Sequence, residues 1–404
     1  MGFGAGGRPV IAMSIRVLHV TSGLDLGSGG PAVALAGLVE GQQSAGLDVR
    51  VVASYRPERE PELDEPMRRK GVAVTCVGPC RGRFARHPDL AAAVAAGVEA
   101  ADIVHIHALF EDVQHLAAKC ALQRGKPYVI RPCGMLDRWS LRRRWLAKKL
   151  YMTWRLSYML RAAAAIHYTT RFEQLGASPL RLERPSIVEP NGVNIVDYEH
   201  LPAAGVFRKR FNVPEHSPLV AFLGRVHPGK GVDHLVRAIA TGQLSNVTLA
   251  IIGPDSGGYL ETIRSLANRC GVADRVLFTG LLKGQDRIAG LVDAAVFAMP
   301  SEHENFGIAV AEAMATGTPV IVSPEVGIAD DVTAAGAGAV VPLHYKPLSA
   351  ELARWLADPV LRVEAGERGR AYAFARYDWN QIGRRWGGHY AQLLSVARSA
   401  EGIK

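Results

Sequence analysis

One short polar run in the C-terminal half of the chain carries most of the residue types that could do chemistry. It reads Ser301-Glu302-His303-Glu304-Asn305-Phe306-Gly307, and Glu312 follows Glu304 by eight residues. A zinc peptidase would need a second histidine at position 307, where this chain has glycine, so that chemistry is excluded. The run precedes a helix-like segment, and Glu312 lies about two turns into it, too far along for a pair of carboxyls flanking one glycosidic bond.

We therefore expect Glu304 and Glu312 to contact different parts of one ligand. The alternative is purely structural. Asn305 can cap the start of a helix, and Glu304 is then an ordinary surface residue.

A second run, Gly224-Arg225-Val226-His227-Pro228-Gly229-Lys230-Gly231, nearly matches the phosphate-binding pattern G-x-x-x-x-G-K-[S/T]. The last position fails, because Gly231 has no hydroxyl to hold Mg²⁺. Two cations, Arg225 and Lys230, and backbone amides at the start of a helix remain, a set that suits a diphosphate bound without a metal ion. A pair of solvated surface cations is the alternative.

A glycine-rich turn, Gly27-Ser28-Gly29-Gly30-Pro31-Ala32, follows the first strand-like run and fits G-x-G-x-x-G/A. A dinucleotide site also requires an acidic residue at the end of the second strand to bind a ribose hydroxyl, but that strand ends with Ala53-Ser54-Tyr55-Arg56. The sequence disfavours NAD and leaves two interpretations, an anion held by amides at the helix start and a turn that needs glycine only for its backbone geometry.

Two histidines, His105 and His107, lie two residues apart at the end of a strand-like run, and hence on one face. The carboxyl ends of strands are where parallel sheets bind ligands. Three interpretations stay open: a polar contact to substrate, hydrogen-bonded core histidines, and a zinc pair, for which no cysteine or carboxylate is suitably spaced. The chain also has no Asp-x-Asp, so a sugar-transfer site built on a divalent cation has no obvious ligand pair.

These motifs are connected by a regular alternation of short β-branched runs and helix-like segments. In the N-terminal half the strand-like runs are 15–20, 49–54, 72–77, 102–107 and 128–132, with helices over 31–44 and 113–123. In the C-terminal half the strand-like runs are 219–224, 247–253, 276–280, 294–300 and 319–323, with helices over 232–240, 260–268 and 307–316. This order predicts parallel sheets with crossover helices.

The alternation is interrupted once, by a polar stretch that contains prolines, so we predict an α/β protein of two doubly wound domains. The predicted boundaries are 13–200 for the N-terminal domain, 201–217 for a linker and 218–377 for the C-terminal domain. A final amphipathic helix, about 378–398, is expected to pack back on the N-terminal domain.

Composition excludes several classes of protein. The 404 residues are 48% hydrophobic and 21% charged, which is ordinary for a folded chain and unlike disordered or collagenous sequences. Five scattered cysteines, with no C-x-x-C pair and no secretory signal before them, indicate a reducing compartment, and we expect a cytoplasmic protein. The sequence contains no stretch of about 18 apolar residues, so it predicts no membrane-spanning helix.

The net charge of +9 is concentrated in one segment. Residues 138–161 contain eight basic residues and no acidic one, interleaved with tryptophan and tyrosine. Such a segment can lie on an anionic membrane surface, and a basic stripe can also bind nucleic acid. We expect a peripheral position on the inner membrane face, and we do not expect nucleic acid as a partner.

With these motifs in order, the chain from 15 to 396 resembles the retaining family-4 glycosyltransferases of the GT-B architecture, which have two Rossmann-like domains facing a cleft. The resemblance is carried by Gly29-Gly30 after the first strand, His107 after a mid-domain strand, and Gly224-Arg225 through Lys230-Gly231. It is completed by Glu304-x7-Glu312, by Ala315-x-Gly317-Thr318-Pro319-Val320 and by Asn191-Gly192-Val193.

The resemblance implies roles for these residues. Arg225 and Lys230 would hold the diphosphate of a nucleotide sugar, Glu312 the ribose hydroxyls, and Glu304 the donor sugar. His107 would contact the sugar at the reacting centre, which makes Glu304, His107, Arg225 and Lys230 the expected catalytic group. The other expected donor contacts are Gly29 and Gly30 closing over the phosphates, Gly253, and the amides of Asn305, Phe306 and Gly307.

The function implied is transfer of a sugar, with retention of configuration and without a metal ion, from a UDP- or GDP-linked donor. The acceptor would be a hydroxyl of a saccharide or lipid-linked saccharide in polysaccharide or glycolipid assembly, and no cofactor is expected. Two alternatives remain, a nucleotide-sugar epimerase of the same architecture and a non-catalytic basic protein that binds nucleic acid or membrane.

Overall fold

The protein is built around two parallel β-sheets, seen in a computed structural model that describes residues 14–26, 30–137 and 155–401. The N-terminal sheet has the order β3-β2-β1-β4-β5-β6-β7. Its strands are β1 (Arg16–Ser22), β2 (Asp48–Ser54), β3 (Ala73–Val77), β4 (Ile103–His107), β5 (Tyr128–Arg131), β6 (Ala165–Tyr168) and β7 (Ser186–Val188). The central strands β1, β4 and β5 are buried along almost their whole length because helices cover both faces of the sheet.

The C-terminal sheet repeats this plan with the order β10-β9-β8-β11-β12-β13. Its strands are β8 (Leu219–Leu223), β9 (Thr248–Ile252), β10 (Val276–Gly280), β11 (Val296–Met299), β12 (Val320–Val322) and β13 (Gly338–Val340). In each sheet the strand order reverses beside the first strand, at β1/β4 and at β8/β11, and ligands bind at such a switch point.

The α-helices are numbered here over the described residues. In the first half of the chain they are α1 (Gly30–Ser44), α2 (Asp64–Arg69), α3 (Leu90–Glu99), α4 (Asp112–Gln123), α5 (Ser157–Ala162), α6 (Arg171–Ala177), α7 (Val196–Glu199) and α8 (Val206–Arg210). In the second half they are α9 (Val232–Ile239), α10 (Tyr259–Arg269), α11 (Gly284–Val292), α12 (Ile308–Ala315), α13 (Ala329–Ala335), α14 (Tyr345–Ala357), α15 (Pro359–Arg376) and α16 (Trp379–Glu401).

The predicted fold class is confirmed, and the strands and helices predicted from the alternation lie within a few residues of their observed positions. Some elements had no clear signal. Helix α3 has the sequence LAAAVAAGVE, in which alanine blurs the apolar periodicity, and β7 and β13 have three residues each. Such short strands are below the length at which alternation is readable.

The stretch interpreted as a linker, 201–217, packs with the C-terminal domain. Phe207 of α8 and Val213 are buried in the core that also contains β8 and β11, and Tyr198 of α7 is buried in the same cluster. Asp293, after α11, accepts hydrogen bonds from the backbone N–H groups of Gly205 and Arg208. These contacts fix the connecting chain against the C-terminal sheet.

The last helix returns to the N-terminal domain. Helix α16 runs along α1, and Ile382, Trp386 and Tyr390 are buried against β1, β4 and β5. Arg385 of α16 pairs with the carboxylate of Glu189 just after β7. Among the helices described, none combines the length and the apolar run needed to cross a lipid bilayer.

Candidate functional site

The turn after β8 is shaped by glycines. It passes through a short 3₁₀ turn, Pro228–Lys230, in which the His227 ring accepts a hydrogen bond from the N–H of Gly229, and then enters α9. Gly231 has φ +67°, and a Cβ placed there would lie 1.8 Å from the carbonyl oxygen of Pro300. No side chain fits this position, which explains why the hydroxyl of the phosphate-binding pattern is missing.

Gly253, at the end of β9, packs against the same turn. A Cβ at Gly253 would lie 2.0 Å from the carbonyl oxygen of Gly224. The ends of β8 and β9 therefore approach each other with bare backbone, on the other side of β8 from the switch point at β8/β11. Arg225 projects from this turn and is exposed.

Lys230 and Glu304 form an ion pair, with each side chain about one-fifth exposed. The pair joins the turn after β8 to the polar run after β11. Backbone hydrogen bonds fix Glu304 further, because its N–H donates to Glu325 and its carbonyl accepts from Gly327. Two of the residues that sequence analysis singled out are thus in direct contact.

The backbone from Asn305 to Gly307 leads into α12, which begins at Ile308. The backbone N–H groups of Asn305, Phe306 and Gly307 donate no hydrogen bond to any described residue. Asn305 does not cap the helix, since its side chain donates to Thr169 of the N-terminal domain at 3.0 Å. Three amides at a helix start and the ammonium of Lys230 make this corner attractive to an anion.

Glu312 is the fifth residue of α12, so it lies little more than one turn into the helix and not two as expected. Its carboxylate pairs with Arg287 at 2.8 Å and is hydrogen-bonded to Tyr198. Burial raises the pKa of Glu312, while the Arg287 guanidinium acts in the opposite direction. The two glutamates therefore have separate ion-pair partners, Lys230 for Glu304 and Arg287 for Glu312.

The two domains touch beside this corner. Asp137 pairs with His303 at 2.9 Å, and the Thr170 hydroxyl donates to the carbonyl of Asn305. A Cβ placed on Gly30, the first residue of α1, would lie 3.4 Å from Ile308 of α12. The start of α1 thus faces the start of α12 across the cleft, whereas Gly29 lies outside the described residues.

His107 ends β4 on the N-terminal side, and its ring belongs to a buried group of four histidines. His19 of β1 is in register with His105 of β4, and His167 of β6 contacts His105. Burial lowers the pKa of His19 to about 4 and holds the pKa of the other three well below the usual value. The rings are therefore neutral near pH 7.

Candidate metal-binding nitrogens of His19, His105 and His107 lie within 4.8 Å of one another. The same three rings already use nitrogens in hydrogen bonds, since His19 bonds to His107 and to Gln42, and His105 bonds to Tyr390 and to His167. A metal ion would have to displace several of these bonds. The geometry favours hydrogen-bonded histidines.

Sequence reasoning missed His19, His167, Gln42 and Tyr390. The first two had a readable signal, because each is a polar residue inside an otherwise apolar strand-like run. Gln42 and Tyr390 are 348 residues apart and gave no signal, since only the packing of α16 on α1 brings them together.

The basic segment 138–161 lies outside the described residues up to position 154. At its described end Arg161 is exposed, whereas two other side chains contact the N-terminal domain. Arg155 is buried and pairs with Asp112 at 2.6 Å, and Tyr158 donates to or accepts from His115. These two side chains hold the end of the segment to the N-terminal domain.

Comparison with known proteins agrees with this architecture. The family model described as "Glycosyl transferases group 1" matches residues 205–372, and "Glycosyl transferase 4-like domain" matches residues 29–192. Each half of the chain thus matches a glycosyltransferase family model. HepE from Anabaena in complex with UDP superposes with a TM-score of 0.75 at 17% identity, over 94% of this chain and 100% of HepE. Sucrose-phosphate synthase from Thermosynechococcus elongatus superposes with a TM-score of 0.71 at 22% identity, over 94% of this chain and 100% of the synthase. The fold is therefore GT-B.

Closer sequence relatives match over part of their length. A GDP-mannose-dependent monoacylated alpha-(1-6)-phosphatidylinositol monomannoside mannosyltransferase from Corynebacterium glutamicum is 34% identical over 209 residues, 48% of this chain and 53% of the relative. A D-inositol 3-phosphate glycosyltransferase from Salinispora arenicola is 33% identical over 226 residues, which are 52% of this chain and 49% of the relative. The matched region spans about half the length of these relatives.

Proposed function

We propose that this protein transfers a sugar, with retention of configuration and without a metal ion, from a UDP- or GDP-linked donor to a hydroxyl of a saccharide or lipid-linked saccharide. The observation that carries the proposal is the corner where Lys230 meets Glu304 beside three backbone N–H groups that have no acceptor among the described residues. This corner lies at the switch point of the C-terminal sheet, on the side that faces the N-terminal domain.

Each residue of the donor site has its own proposed role. Lys230, Arg225 and the start of α12 stabilise negative charge that develops on the departing diphosphate, which is electrostatic work that metal ions perform in other enzymes. The donor displaces Glu304 from Lys230 and leaves that carboxylate for the sugar hydroxyls. Glu312 takes the ribose, Gly253 lets the nucleotide approach the backbone, and Gly29-Gly30 covers the phosphates. His107 contacts the sugar from the opposite domain.

A thermal-unfolding screen with nucleotide sugars tests the donor site. A donor at about 100 times its Kd adds about 2.7 kcal/mol of stability, so the right base and sugar raise the melting temperature above that of the wrong ones. Lys230→Ala should lose this shift and lower turnover at least about 100-fold. Lys346→Ala, at an exposed lysine of α14, is the matched control. A Lys230 variant that binds and turns over donor like the wild type contradicts the diphosphate assignment.

Two further measurements separate the remaining alternatives. Turnover of the donor in the absence of any acceptor would indicate an epimerase, whereas the proposal requires a glycosidic product whose anomeric configuration matches the donor by NMR. Activity should survive EDTA, and loss on chelation that Mg²⁺ restores contradicts the metal-free site.

The basic segment adds a proposal about location, a cytoplasmic enzyme held peripherally on the inner membrane face. Its support is sequence alone, since Arg142, Arg143, Arg144, Lys148 and Lys149 lie outside the described residues. The protein should co-sediment with vesicles that contain anionic lipid and not with zwitterionic ones, less so at high salt. Reversal of these five cations to Glu should release it, and equal binding by the reversed protein contradicts the anchor.

A further inference from the structure

A continuous line of hydrogen bonds runs from His107 through the buried interior of the N-terminal domain. It passes through six side chains and ends on the backbone carbonyl of Glu189; in order the side chains are His107, His19, Gln42, Tyr390, His105 and His167. We call this set the histidine relay. All six residues are buried, and none is more than 3% exposed.

The six distances are those of ordinary hydrogen bonds. Nε2 of His107 lies 2.9 Å from Nδ1 of His19, and Nε2 of His19 lies 2.8 Å from Oε1 of Gln42. Nε2 of Gln42 lies 3.0 Å from the Tyr390 hydroxyl, which lies 2.7 Å from Nδ1 of His105. Nε2 of His105 lies 3.2 Å from Nδ1 of His167, whose Nε2 lies 2.9 Å from the Glu189 carbonyl.

One end of the relay fixes the direction of every bond. A carbonyl oxygen can only accept, so His167 must donate from Nε2. A neutral ring carries one N–H, so Nδ1 of His167 accepts from Nε2 of His105, and Nδ1 of His105 accepts from the Tyr390 hydroxyl.

The directions of the remaining bonds, from Tyr390 to His107, follow in turn. The Tyr390 oxygen accepts from the amide nitrogen of Gln42, which turns the Gln42 oxygen toward His19. His19 donates from Nε2 and accepts at Nδ1, so His107 must donate from Nε2. Nδ1 of His107 is then an acceptor, and this buried atom has no hydrogen-bond partner among the described residues.

We propose that Gln42 and Tyr390 are positioning residues that act through His19 to hold His107 in its Nε2–H tautomer, with Nδ1 kept free to accept a hydrogen bond from a hydroxyl of the donor sugar. The contact to sugar rests on the proposed function, while the tautomer does not. A buried acceptor without a donor is costly, and a sugar hydroxyl would satisfy it.

Helix α16 is what completes the relay. Tyr390 comes from this helix, and the ring of Trp386, one turn earlier, packs 4.7 Å from His105 and 4.6 Å from His167 between centroids. The C-terminal helix therefore does more than cover the sheet. It supplies the hydroxyl that joins the two halves of the relay.

Nitrogen NMR of the full chain labelled with ¹⁵N-histidine reads the tautomers without any substrate. Long-range ¹H–¹⁵N spectra at pH 7.5 should show His19, His105, His107 and His167 as neutral Nε2–H rings. Tyr390→Phe keeps the aromatic ring and removes the hydroxyl, so the Gln42 amide can turn and His19 and His107 should show a mixture of tautomers. Tyr372→Phe, whose hydroxyl bonds to Asp331 in the C-terminal domain, is the control and should leave all four rings unchanged.

Kinetics supply a second readout. Tyr390→Phe should lower kcat about tenfold, the scale of one misdirected hydrogen bond, and change the KM for donor less than about threefold. Gln42→Leu should do the same. In Gln42→Glu, burial keeps the new carboxyl protonated, so it can accept from His19 and donate to Tyr390. This variant, unlike Gln42→Leu, should keep the wild-type tautomers of the four histidines.

Several results would overturn the relay. These are an Nδ1–H or doubly protonated His107 in the wild type, unchanged tautomers in a folded Tyr390→Phe protein, or stoichiometric zinc bound by His19, His105 and His107 in the purified protein. Absence of sugar transfer with every donor would instead contradict the proposed function and leave the NMR result standing.

Discussion

At the scale of single residues, Gly231 is the position where backbone geometry decides the chemistry. Gly231→Ser would complete the phosphate-binding pattern in the sequence, yet its Cβ would meet the Pro300 carbonyl oxygen at 1.8 Å at a φ of +67°. We expect the C-terminal domain to lose at least about 3 kcal/mol of unfolding free energy in urea titrations. Gly242→Ser, where a Cβ meets nothing within 4 Å, is the control. A stable Gly231→Ser protein that binds Mg²⁺ would show that the turn is adaptable.

The buried histidines make stability depend on pH. In the unfolded chain a histidine takes up a proton below about pH 6.5, whereas folded His19 does so only near pH 4, and burial holds the pKa of the other three rings well below its usual value. The folded state therefore binds fewer protons in this window. Their stabilisation is complete above pH 6.5 and is lost as the pH falls toward 4, by up to about 1.4 kcal/mol per pH unit for each ring.

Two buried carboxyls oppose this trend. Burial raises the pKa of Glu173 and Glu312, so their contribution is lost as the pH rises above the ordinary carboxyl range. With four rings against two carboxyls, we expect urea unfolding to show a net loss of stability from pH 6.5 to pH 4.5. His216→Ala, at an exposed histidine, is the control, and its unfolding free energy should depend on pH as that of the wild type does. A wild-type unfolding free energy that does not change with pH would mean that the four buried histidine rings are charged.

At the scale of elements, α1 and α16 pack backbone against backbone. A Cβ on Gly383 of α16 would lie 2.0 Å from the carbonyl oxygen of Gly41 of α1, and a Cβ on Gly41 would lie 2.0 Å from the carbonyl oxygen of Trp379. Gly383→Ala should therefore push α16 away and lower stability by at least about 3 kcal/mol, with a change in Trp386 fluorescence. Gly388→Ala, in the same helix with nothing within 4 Å, should be neutral or add up to about 1 kcal/mol. Equal stability of the two variants would contradict this packing.

The same helix shows what sequence can and cannot predict. Strands β1, β4, β8 and β9 were predicted because buried parallel strands leave apolar runs of a characteristic length. The turn with Lys230 and the run with Glu304 were placed at helix starts by their flanking strands. Gln42 and Tyr390 left no local trace, because contacts between residues 348 positions apart are set by packing and not by neighbours in the chain.

At the scale of the whole molecule, a small set of side chains among the described residues joins the two domains at the cleft. Asn305 of the C-terminal domain donates to Thr169 at 3.0 Å and accepts at its carbonyl from Thr170, and a Cβ on Gly134 would lie 3.0 Å from the Asn305 side chain. Asp137 and His303 add an ion pair beside them. In the proposed sugar transfer, closure of the cleft would exclude water that could otherwise react with the activated sugar.

Asn305→Ala removes the amide that bridges to Thr169 and leaves the backbone N–H groups of residues 305–307 in place. A hydrogen bond of about 1 kcal/mol shifts an equilibrium between closed and open domains about fivefold, so small-angle scattering without ligand should give a larger radius of gyration than the wild type. A nucleotide donor that binds both domains should bring the radius back to the closed value. Asn246→Ala, at an exposed position of the C-terminal domain, is the control and should have the same radius of gyration as the wild type. An unchanged radius for Asn305→Ala would contradict a role of this bridge in closure.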